Sequence, residues 1–395
     1  MNSRRRAGDV WAVIAGGGTG GHAVPAVAIG RALVDRGHPP ESIHFVGSQR
    51  GVERRLVPAA GFDITLLPGR GIVRRLSWSN VGAVFGLVSA VFRATLLLAR
   101  LRPSIVISVG GYASVACSLA SVALRIPLVV AEQNAVPGLA NRIAGRFARA
   151  SAVSFPGTPL PRAVVTGNPV RPEIVAADRS PAGRVAARKA LGIPDALRVV
   201  AVAGGSLGAR RINDATVKLA HLWKDKDGVA LRHVAGDRDF DRMRAAAADL
   251  PAWSAKSGET AVGGNDSSPR GGLFYQLVGF EDRMDLLLSA ADVTVQRAGA
   301  STFSELTAMG VPSVLVPLPG APGDHQTMNA RRLVEAGAAV MVPDGELDAD
   351  RLAAELEKLL NDSELLAKMS SAARSFAFPN AADSVAALAE EHARV

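Results

Sequence analysis

Short apolar runs and longer amphipathic ones alternate along the chain. Val10–Ala15, Ile43–Val46, Ile105–Ser108 and Leu128–Ala131 are rich in β-branched and small apolar residues and end at Gly, Ser or polar positions. Helical periodicity follows in Ala23–Arg36 and Tyr112–Leu124. The alternation returns in Arg198–Ala203, Ala230–Val234, Val293–Gln296 and Ser313–Pro317, with helices between. Near-continuous apolar strands separated by helices predict parallel sheets covered on both faces.

The pattern also restarts. A strand running into a glycine loop and then a helix occurs at residues 10–21 and again at 199–208. This predicts an α/β chain of two doubly wound domains, 1–169 and 170–377, joined at the turn-forming Gly167–Pro172. Ser254–Gly272 is Gly/Ser-rich without periodicity and reads as a surface loop. A last helical pattern, Asn380–Ala393, follows Pro379.

Trp78–Leu101 holds a long apolar stretch interrupted by Arg93 and Arg100. Three readings fit: an amphipathic helix on a membrane surface, an ordinary core helix, or a membrane span.

With 48% hydrophobic residues, the chain has apolar surface for two cores, which excludes a disordered or collagen-like class. Its one cysteine, Cys117, forms no internal disulfide, and the apolar run after Arg4–Arg6 breaks at glycines too early for a signal peptide. Both features point to a reducing cytoplasm. Charge is divided unevenly. Up to Pro169 there are 19 arginines, no lysine and 6 acids, a net of +13; the remainder has 26 bases and 30 acids, a net of −4. A basic N-terminal half suggests a polyanionic partner, either nucleic acid or an anionic membrane. Arginine bias in a GC-rich genome is the alternative.

Three glycine-rich segments carry candidate chemistry. Gly16–His22 contains G-x-G-x-x-G between a strand and a helix, where backbone approach and helix N–H groups suit an anion. A dinucleotide site also needs an acid at the end of the second strand, and none follows Val46. Gly204–Ala209 suits phosphate but lacks the Lys-Ser/Thr ending of an ATP-binding loop. Arg297–Glu305 opens a helix with hydroxyls at Ser301, Thr302 and Ser304 that would hold a diphosphate. Glu305 is placed either to accept from a ribose diol or to complement the helix dipole. The histidines lack ligand spacing, and Asp225/Asp227 and Asp237/Asp239 read as solvated pairs, so no metal site is expected.

Together these motifs resemble bacterial peptidoglycan glycosyltransferases of family 28, which add N-acetylglucosamine to undecaprenyl-diphospho-muramoylpentapeptide. The resemblance runs from about Val10 to the C-terminus. It rests on residues 17–22, 110–114, 132–134, 167–171, 204–209 and 297–302 with Glu305, then 324–326 with Asn329 and Ala330. It implies the GT-B fold, two Rossmann-like domains facing each other across a cleft, with the last helix (about 378–395) returning to the first. It also implies UDP-N-acetylglucosamine on the C-terminal domain. There the backbone at Phe280 and Glu281 would read uracil and Glu305 would hold the ribose. Arg171, Ser206 and the helix start from Ala300 through Ser301, Thr302, Phe303 and Ser304 would hold the diphosphate. Gln326 and His325 would check the sugar hydroxyls. Thr19, Gly20, Gly21 and Asn134 would close over the sugar. Leu207, Ala298 and His325 depart from the enterobacterial pattern, and Ser254–Gly272 resembles an insertion.

An α-linked donor and a β-linked product require one inverting displacement, with a base to take the acceptor's proton. His22 is the candidate base, with binding of the acceptor diphosphate as its other role; Tyr112 and Glu132 are further acceptor-site or base candidates. No cofactor or metal is expected. The lipid acceptor gives the arginines a purpose: Arg70, Arg74, Arg75, Arg142, Arg146 and Arg149 would meet anionic headgroups, with Trp78, Val84, Phe85 and Val88 dipping in. The expected location is the cytoplasmic face of the plasma membrane, held peripherally, with other cell-wall and division proteins as further partners. Nucleic acid is not expected, since no basic-and-aromatic strand motif or recognition helix is present. The rival readings are a transferase to another lipid such as diacylglycerol, and a non-catalytic nucleotide-sugar-binding scaffold.

Overall fold

In the computed structural model the described residues are 9–49, 51–68, 79–205, 208–250, 252–255 and 272–394, without the side chains of 79–85, 252–255 and 322. They form two compact units, Met1–Arg171 with Phe378–Val395, and Pro172–Ala377.

The first unit holds strands β1 (Ala12–Gly16), β2 (Ile43–Ser48), β3 (Asp63–Leu67), β4 (Ile105–Gly110), β5 (Leu128–Glu132), β6 (Ala150–Val153) and β7 (Ala163–Val165). They pair in parallel in the order β3-β2-β1-β4-β5-β6-β7. Helices α1 (Gly20–Asp35), α2 (Glu53–Ala59), α3 (Ser79–Leu101), α4 (Tyr112–Ala123) and α5 (Leu139–Ala144) cover the faces. Strand order reverses at β1 and β4, and their register shifts between Ala15 and Gly16, where the strands end. Such a switch point leaves a crevice at the carboxyl ends of the strands, the usual place for a ligand in open α/β sheets.

The second unit repeats the plan. Its helices are α6 (Pro172–Val175), α7 (Pro181–Ala190), α8 (Arg210–Leu222), α9 (Asp237–Ala246), α10 (Met284–Ala290), α11 (Ala300–Met309), α12 (His325–Glu335), α13 (Ala349–Leu360) and α14 (Ser363–Arg374). Strands β8 (Arg198–Ala203), β9 (Val229–Val234), β10 (Ala252–Ala255), β11 (Phe274–Val278), β12 (Val293–Gln296), β13 (Ser313–Leu315) and β14 (Ala339–Met341) pair in parallel as β10-β11-β9-β8-β12-β13-β14. The switch point falls at β8 and β12. The last helix, α15 (Ala381–His392), belongs to the first unit and inserts Val385, Ala386 and Ala389 into its core.

The long apolar stretch before Leu101 divides by helical face. On α3, Ala90, Ala94 and Leu98 are buried in the first unit's core, while Val88, Phe92 and Leu96 are exposed. Among the described residues no helix is long and apolar enough to cross a membrane. Ser254 lies in β10 rather than in the loop read from composition; residues 256–271 lie outside the described residues.

Candidate active site: two glycine loops at two switch points

In the first unit the Gly16–Gly21 loop leaves β1 and enters α1. The N-cap Thr19 makes no side-chain cap, and the first turn of α1 has no acid, so its amide end faces no compensating carboxylate from within the helix. Thr19 is exposed, and Gly20, Gly21 and His22 are half-buried. The loop is held from behind by Glu53, which is only 2% exposed. The Glu53 carboxylate accepts from Gly18 N–H at 2.8 Å, and from the Ser48 N–H and hydroxyl at 2.7 and 3.0 Å. A Cβ at Gly17, Gly47 or Gly51 would overlap this carboxylate or its methylene, so the side chain fits only among bare glycines. Composition offers no warning of this, because Glu53 stands beside Arg54 and Arg55 in a run that reads as solvated.

The second wall is the Gly110-Gly111 turn after β4. Gly111 has φ 91°, and a Cβ there would meet the Gly17 carbonyl at 2.2 Å; Gly17 N–H also donates to the Gly110 carbonyl at 3.2 Å. A Cβ on Gly110 would lie 2.9 Å from His22 Nε2. The imidazole therefore packs directly on a glycine backbone at the switch point.

Tyr112 and Glu132 lie nearby, engaged in other ways. The Tyr112 hydroxyl donates to the Pro68 carbonyl at 3.2 Å, and burial pushes its phenol above the usual range. Glu132 is buried at the end of β5. One of its oxygens accepts from Asn134 N–H and Nδ2 at 2.9 and 3.2 Å, and the other from Gly138 N–H and Asn141 Nδ2 at 3.1 and 2.9 Å. Four donors on one buried carboxylate are the arrangement of a loop anchor. Arg171 is half-buried at the end of the first unit's long stretch.

In the second unit, α11 starts at the switch point. Its N-cap is Gly299, which has no side chain to cap with, and no acid occupies the first turn. The Ser301 hydroxyl is buried with no hydrogen-bond partner among the described residues. Ser304 is turned inward, donating to the Ala300 carbonyl at 2.9 Å. Thr302 is half-buried, Ala300 and Phe303 are buried, and Glu305 is 6% exposed in the helix's second turn. The approach to α11 is braced by Arg297, which donates to the Val316 and Pro317 carbonyls and pairs with Asp344 at 2.5 Å, and by Asn329, which donates to the Ala298 carbonyl at 3.1 Å. At the start of α12 the Gln326 side-chain carbonyl accepts from Leu318 N–H at 2.9 Å, which leaves its amide N–H2 as a donor. His325 is the first residue of that helix and is half-buried.

The second glycine loop, after β8, leads to α8, whose N-cap Ala209 likewise makes no side-chain cap. Beneath it lies a buried polar chain that sequence reasoning missed. Asn213 Nδ2 donates to the Ala235 carbonyl and to Asp239 at 2.8 and 3.2 Å, and its Oδ1 lies 3.0 Å from His233 Nε2. His233 Nδ1 lies 2.9 Å from the Tyr275 hydroxyl. Burial lowers His233 to about 3, so it is neutral; Nε2 donates to Asn213 and Nδ1 accepts from Tyr275. Asp239, read from sequence as solvated, is 4% exposed, because Asn213 gives it a buried donor.

Phe280 and Glu281 follow β11. The Glu281 carboxylate is buried and accepts from Arg232 Nε and Nη2 at 3.0 and 2.7 Å, while its other oxygen accepts from Arg283 N–H at 3.1 Å. The backbone at 280–283 is thereby fixed by an ion pair. Ser206, Arg70, Arg74, Arg75, Trp78 and the Val84 and Phe85 side chains lie outside the described residues. Arg142, Arg146 and Arg149 are exposed, and so are Leu139, Ile143 and Phe147 among them.

Residues 12–153 match the glycosyltransferase family 28 N-terminal domain and residues 199–385 its C-terminal domain. The UDP-N-acetylglucosamine–N-acetylmuramyl-(pentapeptide) pyrophosphoryl-undecaprenol N-acetylglucosamine transferase of Desulforudis audaxviator is 38% identical over 384 residues, 96% of this chain and 97% of the relative. The protein of the same name from a Nocardioides species is 39% identical over 364 residues, covering 91% of this chain and 92% of the relative. The crystal structure of Acinetobacter baumannii MurG aligns with TM-score 0.70 and 29% identity, over 96% of this chain and 99% of that one. A UDP-GlcNAc 2-epimerase from Neisseria meningitidis aligns at TM-score 0.63 with 12% identity, a likeness of fold alone. The chain therefore belongs to glycosyltransferase family 28 and, within it, to the UDP-N-acetylglucosamine–N-acetylmuramyl-(pentapeptide) pyrophosphoryl-undecaprenol N-acetylglucosamine transferases.

Proposed function

We propose that the chain moves N-acetylglucosamine from UDP-N-acetylglucosamine to the 4-hydroxyl of the muramoyl sugar in undecaprenyl-diphospho-muramoylpentapeptide, with inversion at the anomeric carbon. The activity named for its full-length relatives supports this reading. The single structural observation that carries the donor site is the start of α11: a glycine cap, no first-turn acid and a buried Ser301 hydroxyl without a partner among the described residues. Helix N–H groups and that hydroxyl suit a diphosphate, and they stabilise the charge that develops as UDP departs. This lets the reaction proceed without a resident metal. Glu305 takes the ribose hydroxyls, the 280–281 backbone the uracil, and Gln326 Nε2 a sugar hydroxyl.

His22 serves as the base for the acceptor hydroxyl. Tyr112 is a poor rival because its phenol donates to Pro68 and burial favours its protonated form. Glu132 is a poor rival because four donors already occupy its carboxylate. Both organise the acceptor-side loops instead.

The enzyme works while bound peripherally to an anionic membrane on its cytoplasmic face. Val88, Phe92 and Leu96 on α3, with Leu139, Ile143 and Phe147 around α5, are apolar and exposed, and Arg93, Arg100, Arg142, Arg146 and Arg149 stand among them. Exposed apolar side chains with exposed arginines near them along the chain match an acidic headgroup layer over acyl chains.

The test incubates the protein with labelled UDP-N-acetylglucosamine and a muramoylpentapeptide-diphosphate lipid analogue in EDTA and counts label in lipid. Transfer is expected. Transfer only to diacylglycerol, or UDP binding without any transfer, would replace this reading with the other-lipid or scaffold one. His22→Ala should lose about tenfold or more in turnover with UDP affinity retained; wild-type turnover would remove His22 from the chemistry.

A further inference from the structure

At the end of the second sheet opposite the α11 start lies an open cavity of about 630 Å3, a volume in the range of small-molecule sites. It is bounded by the beginning of β8, the residues before β12 and β13, and one face each of α7 and α14. Four arginines line it, Arg179, Arg184, Arg188 and Arg198, against two carboxylates, Asp195 and Asp292. Asp292 is 6% exposed and already saturated. It accepts from Arg184 Nη2 at 2.5 Å, Arg188 Nη2 at 2.9 Å and Val199 N–H at 2.7 Å.

Arg198 Nη1 lies 3.6 Å from the same Asp292 carboxylate and Arg188 Nη1 3.5 Å from Asp195, so four guanidinium groups share two carboxylates and a net positive charge remains. Arg179 shows the consequence. Its Nη atoms donate to the carbonyls of Gly310 and Ala291, each at 2.6 Å, and its Nε is buried with no partner among the described residues. Burial, and then repulsion from Arg184 and Arg374, lowers this guanidinium to about 9. An anion entering the cavity would offset that repulsion and accept charge-assisted hydrogen bonds from the guanidinium groups that line it. The space exceeds what a bare phosphate needs, and Val185, Leu197 and Leu366 give it an apolar side.

We propose that this cavity binds a small phosphate-bearing molecule at a site separate from that of the donor nucleotide. The shared chemistry is a phosphate dianion, borne either by the free ion or by a phosphomonoester with a short organic body. The inference does not depend on which sugar or lipid the enzyme uses.

Calorimetry on the full chain saturated with UDP, which fills the nucleotide site, tests it with inorganic phosphate and with glycerol 3-phosphate as probes. One further equivalent of either should bind. Equal affinities would identify free phosphate as sufficient, and tighter glycerol 3-phosphate would identify a phosphomonoester. Arg198→Ala removes the longest of the three arginine contacts to Asp292, at 3.6 Å, leaves the Arg184 and Arg188 hydrogen bonds in place, and should weaken the probe about tenfold. Ala367→Trp, on the exposed face of α14, should block the cavity. UDP affinity should be unchanged in both variants, which also shows that they are folded. Absence of binding by both probes, or binding that survives Ala367→Trp and Arg198→Ala unchanged, would overturn the proposal.

Discussion

Glu53 shows how much of a site one buried carboxylate can decide. Its oxygens take the Gly18 amide and both donors of Ser48, and its side chain occupies space that only Gly17, Gly47 and Gly51 leave open. Glu53→Gln keeps the volume but turns an N–H2 toward donors. Losing hydrogen bonds to a buried charged acceptor costs about 1.5–3 kcal/mol, so turnover should fall roughly 10- to 100-fold. The UDP site proposed above rests mainly on the other unit, so UDP affinity should stay within about twofold by titration; a parallel fall in UDP affinity would mean general unfolding. The role was illegible in sequence because a Glu before two arginines has the pattern of a solvated face. The glycine loop it holds was legible, since strand, glycines and helix stand in order. His233 is a second case. Its folded value of about 3 lies below the ordinary 6.5, so the unfolded chain binds the extra proton between those values. Stability is therefore complete above pH 6.5 and should fall by about 1.4 kcal/mol per pH unit as pH drops toward 3. Urea midpoints of the second unit measured from pH 7 to 4 should follow this slope, and His233→Gln should flatten it.

Elements were most legible where burial is symmetrical. Central strands β1, β4, β5, β8 and β12 are buried along nearly their whole length, and apolar residues predominate in them apart from Ser108, Glu132, Arg198, Thr294 and Gln296, so most of their runs stand out in sequence. Edge strands carry weaker patterns: β7 is three exposed residues, and β3 begins at the exposed Asp63. Neither has the continuous run that a doubly covered strand requires. The helix α3 was ambiguous for a different reason. Its apolar residues serve two environments, with Ala90, Ala94 and Leu98 inside and Val88, Phe92 and Leu96 outside, and hydropathy sums the two faces. The exposed face supplies a test at this scale. Phe92→Ser with Leu96→Ser removes exposed apolar area and should reduce sedimentation with anionic vesicles severalfold without changing the melting temperature, since neither side chain is in the core. Arg142→Glu with Arg146→Glu should reduce it as well, and the residual binding of the arginine variant should be less sensitive to salt than that of the wild type, because Arg93, Arg100 and Arg149 remain. Equal vesicle binding by all variants would place the membrane contact elsewhere.

At the scale of the whole molecule, the chain enters the second unit once and returns. Pro172–Ala377 is continuous, whereas the first unit is completed by the last residues of the chain. The return is specific in its chemistry. Gly167 has φ 78°, and a Cβ there would overlap Phe378, so the residue closing the first long stretch makes room for the returning one. From α15, Glu390 accepts from Arg36 Nε and Nη2 at 2.9 and 2.6 Å and meets His38 at 3.0 Å, and Asp383 pairs with Arg36 at 2.8 Å. Arg36 is the main cause holding the Glu390 carboxyl below its usual range. These pairs are partly exposed and modest, so the helix is held mainly by burying Val385, Ala386, Leu388 and Ala389 against β-sheet residues that include Ile107 and Val129. Removing residues 378–395 uncovers that core. The truncated protein should lose transfer and show a first unit that exchanges amide hydrogens freely, because its sheet has lost one covering layer. Its second unit should keep its protection and still bind UDP, since the residues proposed for uracil, ribose and the α11 helix start lie within 172–377, and Arg171, expected on the diphosphate, stays in the truncated chain immediately before that unit. Loss of UDP binding on truncation would instead mean that the nucleotide site depends on the first unit being folded.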